Sequence, residues 1–78
     1  MKTSKETKVM LMTKLNAERV KELRISQGYT QQFVADYLSC SKSGICYMEK
    51  GKRQPSLEKL AKLSILYRVT TDELLEQS

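Results

Sequence analysis

Residues 30–56, TQQFVADYLSCSKSGICYMEKGKRQPS, decide the fold. Thr30 has a side chain able to accept an orphan first-turn amide, and Val34, Ala35 and Leu38 follow at the i, i+1, i+4 spacing of a buried helical stripe. A short helix is therefore expected over 31–38. Ser39-Cys40 breaks it, and Ser41 can cap a further helix over 42–50 with Ile45 and Met48 facing inward. Gly51 then supplies the left-handed residue that commonly closes a helix. Isolated helices shorter than about 12–15 residues are marginal in water, so two this short must share a core with their neighbours.

Working outward, Asn16 caps a helix running to about Gln27, with Val20, Leu23 and Ile25 expected inside, and Gly28 ends it. Tyr29 carries the chain into the core. Downstream, the basic loop Lys52-Arg53-Gln54-Pro55 leads to Ser56, which opens a helix through Tyr67 with Leu57, Leu60, Ala61 and Leu63 on its inner side. Thr70-Thr71-Asp72-Glu73 has the form of a capping box, after which Leu74 and Leu75 are expected to dock back. The expectation is an all-α, compact five-helix domain over 16–78, preceded by a short extension, 1–15, whose tip is expected to be disordered.

Size and composition agree with one such domain. A chain of 78 residues, 40% hydrophobic and 29% charged, has room for one modest core. No apolar run approaches the roughly 18 residues of a membrane span, and a cytoplasmic protein is expected. Histidine is absent, which removes imidazole acid–base chemistry and leaves no plausible zinc set. Cys40 and Cys46, six residues apart, point away from each other on a helix, so reduced thiols are expected. No enzyme activity, cofactor, metal or small-molecule ligand follows from this inventory. The net charge of +5 comes from the part of the chain before Ser56, beyond which acidic residues outnumber basic ones. That asymmetry suits a polyanion on one side of the molecule.

The third helix has the surface for such a partner. Ser41, Lys42, Ser43, Gly44 and Tyr47 lie away from the Ile45 and Met48 stripe. An α-helix fits the DNA major groove, where lysine can donate to guanine, serine can serve either base type, and tyrosine offers a hydroxyl and an apolar ring. An ordinary solvated face is the alternative. Gly44 costs roughly 1 kcal/mol of helix stability relative to alanine, which points either to clearance for DNA or to a tight contact between helices.

The stretch resembles the helix-turn-helix of the Cro and lambda-repressor family. The resemblance rests on the Thr30-Gln31 opening, the Val34-Ala35 pair, Ile45, the Glu49-Lys50-Gly51-Lys52-Arg53 exit and Pro55-Ser56-Leu57. It extends from Arg19-Val20 and Leu23-Arg24 to Asp72-Glu73-Leu74-Leu75. It implies a transcriptional regulator, a repressor in the first instance, that binds double-stranded DNA as a homodimer on a near-palindromic site. It also implies phosphate contacts from Gln31, Gln32, Lys50, Lys52 and Arg53, with Arg53 within reach of a base, and a partly buried ion pair between Arg24 and Glu49. A protein-binding adaptor and an antitoxin that also binds DNA are the competing readings.

The chain departs from the family pattern in two ways. Ser39 and Arg68 stand where helix-ending glycines are common. Phe33, Tyr37 and Ile65 are apolar where the family tends to be polar, and mark a partner or extension surface. Leu74 and Leu75 are the first candidates for a dimer contact. Second is the extension, whose Val9-Met10-Leu11-Met12 run would dock, or whose Lys2, Lys5, Lys8 and Lys14 would follow the DNA backbone.

Overall fold

The computed structural model describes residues 14–76. It contains five helices: α1 (Ala17–Ser26), α2 (Gln31–Leu38), α3 (Lys42–Glu49), α4 (Leu57–Tyr67) and α5 (Thr71–Leu74). Each is opened by the residue whose side chain suited it. Asn16, Thr30, Ser41, Ser56 and Thr70 accept hydrogen bonds from the backbone amides of Arg19, Phe33, Gly44, Lys59 and Glu73. Thr70 and Glu73 complete a reciprocal capping box, the Glu73 carboxylate accepting from the Thr70 amide at 2.8 Å.

The four longer helices end alike. After each comes one residue in the left-handed region: Gly28 (φ 77°), Ser39 (φ 58°), Gly51 (φ 76°) and Arg68 (φ 59°). Paired backbone bonds close each end. Ser39 N donates to Asp36 O and Cys40 N to Ala35 O, while Arg68 N donates to Ile65 O and Val69 N to Ser64 O. These are Schellman closures, which satisfy the orphan carbonyls of a last turn. Ser39 and Arg68 therefore form the turn a glycine would form, at a backbone cost of roughly 1 kcal/mol each.

The core consists of Leu15, Val20, Leu23, Val34, Ala35, Leu38, Ile45, Met48, Leu60, Leu63, Tyr67 and Leu74. Tyr29, expected to enter the core, is partly buried at its edge and stacked on Phe33 with ring centroids 4.7 Å apart. Several expectations are corrected. Ile25 and Leu57 are 58% and 74% exposed, and Ala61 is exposed too. On α4 the inward stripe is Leu60, Leu63 and Tyr67, a spacing of three and four that leaves Leu57 in the solvated first turn. Leu74 is fully buried within the single chain, so it supplies core rather than a dimer contact.

Leu15 also belongs to the core, although the sequence reading places it in the extension. It forms an antiparallel bridge with Leu75, flanked by hydrogen bonds from Asn16 N to Leu74 O and from Glu76 N to Lys14 O, each 2.8 Å. The extension's end therefore does meet Leu74 and Leu75, through backbone. The Val9-Met10-Leu11-Met12 run and Lys2, Lys5 and Lys8 lie outside the described residues. Among the described residues no helix is long and apolar enough to cross a membrane, and no group of side chains could hold a metal ion. Cys40 and Cys46 are free thiols.

Candidate nucleic-acid interface

α3 is fixed along one side and open along the other. On the inner side Ile45 and Met48 are buried, and Glu49 at the last position is buried although charged. Its carboxylate accepts two hydrogen bonds from the Arg24 guanidinium, from Nε at 2.7 Å and from Nη2 at 3.1 Å. Arg24 Nη1 donates to Tyr29 O at 2.9 Å. The guanidinium thus ties α1, the loop after it and the end of α3 into one unit, and the Glu49 hydrogen bond raises its pKa further. Tyr67 is buried nearby and its hydroxyl has no hydrogen-bond partner. Burial first, and then the Glu49 charge, push that phenol upward, with Arg24 opposing.

Gln31 joins the same cluster, its side-chain amide donating to Glu49 Oε1 at 3.1 Å. Gln32 turns the other way and donates to Asp36 Oδ1 at 2.9 Å. Both glutamines therefore have partners within the chain. They border, with Arg24, Tyr29, Thr30 and Lys42, a shallow cleft where the amino-terminal ends of α2 and α3 come together.

On the outer side of α3, Ser41, Lys42 and Ser43 are exposed and Tyr47 is 45% exposed. Ser41 is also the cap, its Oγ accepting from Gly44 N at 3.1 Å, which leaves its hydroxyl proton free to be donated outward. Gly44 departs from the expected outward position: it is buried. A methyl group at Gly44 would meet Ser41 Oγ at 3.5 Å, Arg53 Nη1 at 3.7 Å and Cys40 Sγ at 3.9 Å. Those are ordinary van der Waals distances, so the packing alone does not demand glycine.

Lys50, Lys52 and Arg53 are exposed at the carboxyl end of α3 and in the loop beyond it. Two features of this loop escaped the sequence reading. The Arg53 guanidinium lies over the Tyr47 ring, 5.8 Å from its centroid. Gln54 reaches back across the molecule, its side-chain carbonyl accepting from Leu15 N at 2.8 Å. A loop glutamine bonded to a backbone amide 39 residues away leaves no trace in local spacing. Of the apolar departures, Phe33, Tyr37 and Ile65 are 47%, 37% and 69% exposed.

Known proteins share this arrangement. A helix-turn-helix family model (HTH_3) matches residues 20–74. The chain is 46% identical over 59 residues to the SPbeta prophage-derived HTH-type transcriptional regulator YonR of Bacillus subtilis, covering 76% of this chain and 55% of YonR. It is 44% identical over 61 residues to the HTH-type transcriptional regulator AnsR of the same organism, covering 78% of this chain and 53% of AnsR. The chain thus spans about half the length of these relatives. Among solved structures it is similar to the restriction-modification controller protein C.AhdI of Aeromonas hydrophila, with a TM-score of 0.67 and 29% identity over 74% of this chain and 88% of that one. It is also similar to the biofilm regulator SinR, solved in complex with DNA, with a TM-score of 0.66 and 27% identity over 74% of this chain and 97% of that one.

Proposed function

The chain belongs to the helix-turn-helix family whose model spans residues 20–74, and from that premise we propose that it is a sequence-specific regulator of transcription that binds double-stranded DNA through α3. One observation carries the reading: the inner side of α3 is locked by Ile45, Met48 and the Arg24–Glu49 pair, while Ser41, Lys42, Ser43 and Tyr47 are exposed along its outer side. A rigidly held helix with a free polar face is what insertion into a major groove requires. Lys50 and Lys52, exposed where α3 ends, neutralise backbone phosphates, and Gln31 and Gln32 meet the same strand at the start of α2 by exchanging their internal partners for phosphate.

The protein acts as a homodimer with its two α3 helices in successive major grooves, about 34 Å apart, on a near-palindromic site. Repression is the simplest outcome of seating a protein in a groove that other DNA-binding proteins must use. Exposed Phe33, Tyr37 and Ile65 are the surface from which protein contacts are drawn, in place of buried Leu74. The working compartment is that of the DNA, the cytoplasm and its nucleoid.

Titrating affinity for duplex DNA against salt tests the reading. The logarithm of the association constant should fall linearly with the logarithm of salt concentration, with a slope of about 0.9 per phosphate contacted. Absence of measurable duplex affinity at low salt would leave a protein-binding adaptor as the better account.

A further inference from the structure

Gly44 is buried within α3, a helix that glycine weakens, yet no neighbour comes close enough to demand it. Its bare backbone instead forms part of the wall of a groove of about 240 Å³, closed on the other side by the loop after α3 and the start of α4. A methyl group there would lie 3.7 Å from Arg53 Nη1 and 3.9 Å from Cys40 Sγ, both of which line the groove, and would take up part of that space.

The groove has two kinds of lining. Buried Met48 and half-buried Cys40 and Pro55 make one part of it apolar. Arg53, Gln54, Ser56 and Lys59 supply donors to the other part, and no described carboxylate borders it. All four donors have capacity to spare. Ser56 Oγ accepts from Lys59 N and Gln54 Oε1 from Leu15 N, which leaves the hydroxyl proton and the side-chain NH2 to be donated. Arg53 and Lys59 have no carboxylate partner among the described residues, and the guanidinium rests 5.8 Å from the Tyr47 ring centroid.

We propose that this groove binds a small organic carboxylate, and that its occupant weakens DNA binding. The head group sits between Arg53 and Lys59, because the planar guanidinium matches a carboxylate with two parallel hydrogen bonds. The tail lies against Met48, Cys40 and Pro55, a surface for which a bare inorganic anion would have no use. The volume falls short of the roughly 300–1,000 Å³ of sites for drug-sized ligands, so the tail is short. The effect on DNA rests on the DNA-binding reading above. An anion held beside Gly44 and Arg53 occupies a cation and places negative charge next to α3, where phosphates must approach. Carboxylate and duplex therefore oppose each other, and by linkage each lowers the other's affinity by the same factor.

The test is titration of the protein with sodium butyrate, against sodium chloride at equal ionic strength, followed by amide NMR shifts. Butyrate should give saturating shifts centred on Cys40, Gly44, Met48 and Lys59. Neither n-butanol, the tail without the charge, nor inorganic phosphate, the charge without the tail, should saturate in the same range. Lys59→Gln should weaken butyrate binding about tenfold, the loss expected when a hydrogen bond to a charged group is removed. Gly44→Ala should weaken it as well while raising the unfolding temperature, which separates a filled groove from a damaged fold. Butanol or phosphate binding as tightly as butyrate, or Gly44→Ala binding butyrate like the parent, overturns the site. Duplex affinity should be lower in butyrate than in chloride, with the difference lost in Lys59→Gln; equal affinity in the two salts overturns the effect on DNA. Because the titration contains no DNA, a parent protein without duplex affinity overturns the DNA-binding reading and that effect together, while saturation by butyrate would still establish the site.

Discussion

The two sides of α3 are built from similar side chains to opposite ends. Inside, one arginine and one carboxylate are brought together at 2.7 Å, with side chains 12% and 2% exposed, and every nitrogen of the guanidinium has an acceptor in Glu49 or Tyr29. Outside, lysine and arginine sit in water without a carboxylate partner among the described ion pairs. A charge satisfied within the fold orients the helix; a charge left unsatisfied is available to another molecule. The difference teaches that residue type alone says little about role on such a helix, and that substitutions on the two sides should be separable in experiment.

The largest effect should come from the inner side. Arg24→Ala leaves the Glu49 carboxylate buried with only Gln31 to bond it, and should lower unfolding stability by about 3 kcal/mol. Unchanged thermal unfolding would remove the distinction between the sides. Next is the outer side, where Lys42→Ala should leave the unfolding temperature as it was but change which bases are preferred, by about 1–3 kcal/mol of discrimination. A loss of stability there would mean that the exposed side is also structural.

Gly44 lies at the boundary between the two. Since a methyl group there meets its neighbours no closer than 3.5 Å, Gly44→Ala should gain up to about 1 kcal/mol of helix propensity, or roughly 4–8 °C in unfolding temperature. A lower unfolding temperature would show that packing requires the glycine after all. The smallest effect should appear far from both sides, at the capping box. The hydrogen bonds from the Thr70 backbone amide and then its hydroxyl hold the Glu73 carboxyl below its ordinary value. A depressed folded pKa contributes stability above the unfolded value, which is lost as pH falls through the folded one. Stability should therefore decline on the acid side of the usual glutamate range, and Glu73→Gln should flatten that part of the profile.

Local chemistry made the fold legible. A cap is decided by one side chain and the amides within three residues of it, which is why Asn16, Thr30, Ser41, Ser56 and Thr70 can all be read directly. The inner stripe of α2 could also be read, because Val34, Ala35 and Leu38 are buried and the apolar residues beside them, Phe33 and Tyr37, keep a separate spacing of four. On α4 the apolar residues outnumber one face, and periodicity could not choose between Leu57 with Ala61 and Leu60 with Leu63 and Tyr67. At the site, the exposed positions of α3 follow from the phase set by Ile45 and Met48, yet Gly44, which the same phase places outside, is covered by Arg53 and Cys40. Contacts that close over long stretches of chain were beyond such reading: Gln54 with Leu15, and Leu15 with Leu75, depend on how the loop and the two ends meet in space.

That last junction bears on how the domain can be joined to anything else. With Lys14 bonded to Glu76 and Asn16 to Leu74, the polypeptide entering the fold and the polypeptide leaving it run antiparallel, side by side. The domain is in effect a closed loop with a single gateway, and Gln54 fastens that gateway to the loop carrying Arg53. Pulling on either strand of the gateway, by tension, by cleavage or by a bulky fusion, would strain the other and be felt in the same loop. A label or tether at the amino side therefore bears on that loop directly, through Leu15, and one at the carboxyl side bears on it only through the bridge between Leu15 and Leu75.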